Sequence, residues 1–120
     1  MLLLRPEQIA LLSADSMERK ITDFLREHFP ERMARVDRGA LAALIRRATA
    51  PGAGMVTERE IVRFVMFGLM THLDFETNPA TAWARPVLLD PRRRGEACLD
   101  RLFAQARRHG FTVRAMREVA

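Results

Sequence analysis

His72-Leu73-Asp74 places an imidazole and a carboxylate two residues apart, a spacing that could orient a general base. No nucleophile partner accompanies it, and a histidine closing a helix reads more simply as structural. The chain has three histidines, His28, His72 and His109, far apart and outside any HExxH or other ligand spacing. His28 and His109 each fall near a helix C-terminus, where a cationic imidazole is mildly favoured. Cys98 is the single cysteine, so neither an internal disulfide nor a cysteine metal site is expected, and a reduced cytoplasm suits it. Flanked by Ala97 and Leu99 on an apolar helix face, its thiol reads as buried and inert. Asp74, Glu76 and Asn78 alternate as cation ligands do, yet the loop glycine is missing and Arg85 occupies the position of the closing glutamate. Neither GxGxxG nor a phosphate-binding GxxxxGKS/T is present. The expectation is a protein that is not an enzyme, without metal or cofactor.

Charge is the next candidate for chemistry. Nineteen arginines against one lysine point to a compositional bias, so arginine abundance carries little weight alone. Its distribution says more: residues 1–90 balance 12 basic with 12 acidic side chains, and residues 91–120 carry 8 basic against 3 acidic. The whole net charge of +5 therefore lies in the last quarter. Arg92, Arg93, Arg94, Arg101, Arg107 and Arg108 form a basic set that could line phosphates or meet an acidic protein. A solvated arginine-rich helix face explains the set equally well. Against nucleic acid stand the lack of tyrosine, of aromatic interleaving and of a helix-turn-helix signature. Arg92–Arg94 are also predicted in the first turn of a helix, the unfavourable end of its dipole for cations.

The elements that would position these residues are all helical. No stretch alternates with period two, and no repeat is present. The 48% apolar and 29% charged composition is that of a globular chain able to bury roughly two-thirds of its unfolded surface. The longest apolar run, Val62 to Leu73, holds Arg63 and His72 and is too short to span a bilayer. Thr57 and Glu60 have capping-box spacing, with Val56 and Ile61 placed for a hydrophobic staple. They open a helix near 57–73 that is apolar on nearly every side and therefore expected to be buried at the centre of the fold. Gly68 in its middle implies close approach of a neighbouring helix.

Before it, Pro6 opens an amphipathic helix of about 22 residues that Phe29-Pro30 ends. Asp37 caps a helix over residues 38–50, and Pro51-Gly52-Ala53-Gly54 breaks the chain. After it, Asn78-Pro79 predicts a short helix to Arg85. Asp90-Pro91 predicts a long one to about His109 that Gly110 stops. The expected fold is all-α, a bundle of about four main helices in one domain over residues 1–110, with 111–120 as a tail or a further helical turn.

Such a protein acts by presenting a surface. Arg59 and Arg63 share one helix face, with Glu60 placed to pair with Arg63. Together with Asp74, Glu76 and Trp83, the single tryptophan, they make one candidate partner-binding patch. Seven methionines, Met55, Met66 and Met70 among them, suit either an adaptable groove or ordinary core filling.

Val56-Thr57-Glu58-Arg59-Glu60-Ile61-Val62-Arg63-Phe64-Val65, followed by Asp74–Ala84, resembles a motif of small, poorly characterised bacterial proteins. Leu25–Pro30 and Asp100–Phe103 are similar to their other shared stretches, so the resemblance covers most of residues 7–103. Thr81, Asn78 and the arginine-rich end depart from the pattern. Many of those proteins are encoded beside VgrG spikes, PAAR tips and toxic effectors of type VI secretion systems. The resemblance implies a cytoplasmic accessory in effector loading, an adaptor or co-chaperone whose protein partner is an effector, a spike or tip component, or another chaperone. Neutralisation of a toxin and a basic nucleic-acid-binding module are the alternatives.

Overall fold

Thr57 Oγ1 accepts the Glu60 amide at 3.1 Å while Glu60 Oε1 accepts the Thr57 amide at 3.0 Å, so the expected capping box is closed in the computed structural model. The structure describes residues 14–112. Six α-helices run through them: α1 (Ala14–His28), α2 (Pro30–Ala34), α3 (Arg38–Thr49), α4 (Glu58–Met70), α5 (Ala84–Leu88) and α6 (Glu96–Arg108). Single 3-10 turns sit at Pro51–Ala53 and Pro79–Thr81, and no strand occurs among the described residues. The fold is an all-α bundle with four long helices, as the periodicity predicts. The expected start of the first helix at Pro6 and most of the expected tail lie outside the described residues.

Each long helix delivers one apolar stripe to a shared core. α1 contributes Ile21 and Leu25, with Phe29 just beyond its end, and α3 contributes Leu41, Leu44, Ile45 and Ala48. α6 brings Cys98, Leu99, Leu102 and Ala106. α4 lies between α3 and α6 with Ile61, Phe64, Val65, Phe67 and Leu69 all buried, the central position that its sequence implies. A Cβ on Gly68 would lie 2.4 Å from Leu44 Cδ2, so α3 and α4 meet where the glycine stands. That approach offsets the roughly 1 kcal/mol of helix propensity the glycine gives up.

Helix starts and stops follow local chemistry, with three corrections. Asp37 Oδ1 accepts the Ala40 amide at 3.0 Å and starts α3 as expected. Val56 stands 59% exposed, so no hydrophobic staple anchors the entry to α4; the capping box holds it. The predicted Pro79–Arg85 helix is a 3-10 turn followed by α5, which runs through Pro86. Pro86 falls in the first turn of α5, where an amide has no intrahelical acceptor to lose.

Asp90-Pro91 does not start α6. Asp90 instead accepts the Arg92 amide at 2.9 Å and closes a tight turn. The chain then passes Gly95 at φ 58°, ψ −128°, which cannot continue a helix from either side. α6 begins only at Glu96, and Arg92–Arg94 belong to the preceding turn. At its other end Gly110 (φ 86°) places the Phe111 amide on Ala106 O at 2.9 Å and its own on Arg107 O at 3.1 Å, a complete Schellman stop.

Two glycines with positive φ make a controlled comparison. A Cβ at Gly95 would lie 2.1 Å from Glu60 Oε2, whereas one at Gly54 (φ 76°) meets nothing within 4 Å. Gly54→Ala should cost only the backbone term, about 1 kcal/mol. Gly95→Ala adds the collision with a buried carboxylate and should cost about 2–4 kcal/mol. Urea unfolding of the two variants reads the difference, and equal losses would remove Glu60 as its cause.

Candidate partner-binding surface

α4 and α6 set the geometry around Arg59 and Arg63. Arg59 Nε lies 3.2 Å from Glu96 Oε1, and Arg63 reaches both Glu96 and Asp100, the latter at 2.9 Å. The Arg63 side chain is only 20% exposed, and its guanidinium lies over the Phe103 ring at 5.2 Å. Its expected partner, Glu60, is committed elsewhere: that carboxylate is 7% exposed and held by the capping box and Gly95. The strip is a charged clasp between two helices. Exposed pairs such as Arg59 with Glu96 add little, but the half-buried, doubly paired Arg63 fixes α6 against α4.

The Asp74–Trp83 turn is similarly self-satisfied. Glu76 takes two bonds from Arg47, at 2.8 and 3.0 Å, and Asp74 Oδ1 accepts from Asn78 Nδ2 at 3.0 Å. Asn78 Oδ1 caps the next turn through the Ala80 amide at 2.8 Å. His72 does not bond Asp74; its ring faces Phe111 at 6.1 Å, so the pair forms no general base. Trp83 is half-buried and stacked on His109 at 4.5 Å with the rings 4° apart. Its indole N–H is buried with no acceptor among the described residues.

Of the five expected residues, Arg59 and Arg63 share Glu96, Trp83 is joined to Arg63 indirectly, and Asp74 and Glu76 stand apart with partners of their own. Trp83 meets Phe67 edge-on at 6.0 Å, Phe67 meets Phe103 at 5.6 Å, and Phe103 carries Arg63. This line of rings runs through the α4–α6 interface. Glu76 is paired with Arg47 and Arg63 with Glu96 and Asp100, while the exposed Asp74 has only the neutral Asn78 amide as its side-chain partner.

A different surface emerges between the Gly52–Met55 turn and the Leu88–Gly95 turn, a cleft of about 210 Å³ floored by Cys98. Leu89 at its mouth is 72% exposed, and Val56, next to Met55 in the chain, is also exposed. The Asp90 carboxylate, 12% exposed, holds Arg92 at 3.1 Å and Arg93 at 3.4 Å. Arg94 also lines the cleft, exposed and without an ion pair among the described residues. Burial pushes the Cys98 thiol up, aided by the Asp90 charge, so the floor is a neutral thiol whose Sγ lies 3.7 Å from Val87 O. Of the predicted basic set, Arg101, Arg107 and Arg108 stand exposed on α6, also without ion pairs among the described residues. A larger cleft of about 380 Å³ opens between α1, α2 and α3, but it sets Glu18 against Arg26 and Arg38 and so favours neither sign of ligand.

Sequence reasoning missed the cleft because its two walls lie about 40 residues apart in the chain. The signal that could have pointed to it is Leu88-Leu89, two adjacent leucines that one short helix cannot both bury. No protein-family model, curated protein or solved structure matches this chain.

Hydrogen bonds from the Arg92 side chain and then its amide hold the Asp90 carboxyl below the usual carboxylate range. A lowered folded-state pKa contributes stability that is fully present above the ordinary value of about 3.9 and is lost as pH falls through the lower folded value. Asp90→Asn should therefore lower Tm at neutral pH, with the gap to wild type closing in strong acid. Thermal unfolding across pH tests this, and a gap that persists unchanged in acid would refute the linkage.

Proposed function

We propose that this chain is a non-enzymatic protein-binding accessory, an adaptor or co-chaperone for effector loading in a type VI secretion system. Leu89 carries the protein-binding half of this reading. A 72% exposed aliphatic side chain beside an arginine-rimmed cleft is the kind of site that a protein partner covers. The secretion half, with a cytoplasmic site of action, rests on the resemblance of Val56–Ala84 to proteins encoded with such systems.

A second reading draws on Arg101, Arg107 and Arg108, exposed without ion pairs among the described residues, as phosphate contacts. Co-expression with type VI spike, tip and effector proteins separates the two. One of them should co-elute with this chain and stay bound at high salt, and Leu89→Asp should weaken the complex about tenfold or more without changing helicity. Binding to nucleic acid that falls steeply with salt, with no neighbouring protein retained, would favour the second reading. Rescue of growth from a neighbouring toxin would turn the accessory into an immunity protein.

A further inference from the structure

The cleft's chemistry narrows what can occupy it. Its rim sets two guanidiniums, Arg93 and Arg94, against the single carboxylate of Asp90, which Arg92 outside the cleft also holds. One positive charge of the lining therefore remains uncompensated, and the wall opposite contributes no charge, since it is Gly52, Ala53, Gly54 and Met55. The floor is apolar, and Leu89 and Val56 expose aliphatic surface beside it. A bare phosphate chain would gain from the arginines and nothing from the leucine, and no aromatic ring lines the cleft for a base to stack upon. About 210 Å³ is below the roughly 300–1,000 Å³ of small-molecule sites, and it suits a single anchoring side chain of a protein partner.

The glycine wall adds the backbone. A Cβ at Gly52 or Gly54 would meet nothing within 4 Å, so main chain there is open to approach. The Met55 and Val56 amides make no hydrogen bond among the described residues, and Thr57, which follows them, is in an extended conformation. Unpaired amides are donors that an extended chain can pair with. A second copy of this chain is disfavoured, because its charge excess also lies in residues 91–120 and would meet like charge.

We infer that the cleft docks an extended acidic peptide segment of a protein partner. An aliphatic or aromatic anchor of that segment packs against Leu89, and its carboxylates meet Arg93 and Arg94. This inference rests on the protein-binding reading above and specifies its ligand.

Short labelled peptides test it by fluorescence anisotropy. One combines aspartate with leucine, the second has asparagine for aspartate, and the third has serine for leucine; a single-stranded oligonucleotide is the fourth probe. The first should bind, the second and third about tenfold weaker or more, and Leu89→Asp and Arg94→Glu should each weaken the first by a similar factor. Both variants lie on exposed side chains, and unchanged helicity confirms that they fold. Equal binding of all three peptides would overturn the inference, as would binding that survives both substitutions or an oligonucleotide that displaces the first peptide. A neighbouring protein that stays bound to Leu89→Asp would sink the cleft and leave the accessory role standing. Peptide binding with no neighbouring protein retained would do the reverse.

Discussion

A helix buried along its length must have its ends satisfied inside the protein, and that constraint on α4 organises this fold. Four amides at its start and four carbonyls at its end have no intrahelical partners. Each one left unmade away from water costs about 1–3 kcal/mol. The start is met locally by Thr57 and Glu60. The end is met partly locally and partly from a distance. Thr71 Oγ1 bonds Phe67 O at 2.8 Å, Arg32 Nε donates to Leu69 O at 3.1 Å, and Arg47 donates to Leu73 O in the turn just beyond the helix. Two guanidiniums at the negative end of the helix dipole also complement it electrostatically. α2, with no buried residue of its own, thus positions Arg32, and α3 positions Arg47, which also grips Glu76 of the following turn.

The same constraint shapes the cleft. Glu60 has to turn one oxygen back to the Thr57 amide, which puts its other oxygen where a side chain at position 95 would stand. The chain can pass that carboxylate only as glycine, and it does so at a φ of 58° that no helix accommodates. α6 is therefore delayed to Glu96, and Asp90–Arg94 become a turn. Asp90 collects Arg92 and Arg93, Arg94 is left over, and the turn closes one side of the cleft. A capping interaction of α4 thereby sets where the basic residues of the next segment are displayed.

What could be read from the sequence was what is decided within one turn of helix. The Thr57 and Asp37 caps, the Phe29-Pro30 break, the Gly110 stop and the core stripes are all local patterns. Gly68 could be read as a close approach, though Leu44 could not be named as the neighbour. The errors share one origin. Glu60 suits Arg63 by helical spacing, and Asp90 suits Pro91 as a cap, but each carboxylate is taken by a rival near neighbour, Glu60 by the Thr57 amide and Asp90 by the Arg92 amide. Arg47 with Glu76 and Arg63 with Glu96 join residues about 30 positions apart, and no spacing rule reaches that far.

The location of function follows from which charges remain after folding. With 20 basic side chains against 15 acidic ones, one-to-one pairing leaves cations over. Arg32, Arg47 and Arg63 are taken into the structure, each by carbonyls or carboxylates that α4 and its neighbours present. Their existing bonds make them poor contacts for a partner, because withdrawing any of them would leave a polar group unmet. Arg94, Arg101, Arg107 and Arg108 have no such commitments among the described residues. Free cations alone make a solvated surface. Among the described residues, only at the Leu88–Gly95 turn does free positive charge adjoin a strongly exposed leucine, and water satisfies the first while it penalises the second. A partner that covers Leu89 and brings its own carboxylates removes that penalty without leaving Arg94 unpaired, which is why the surface points to an acidic, apolar protein segment.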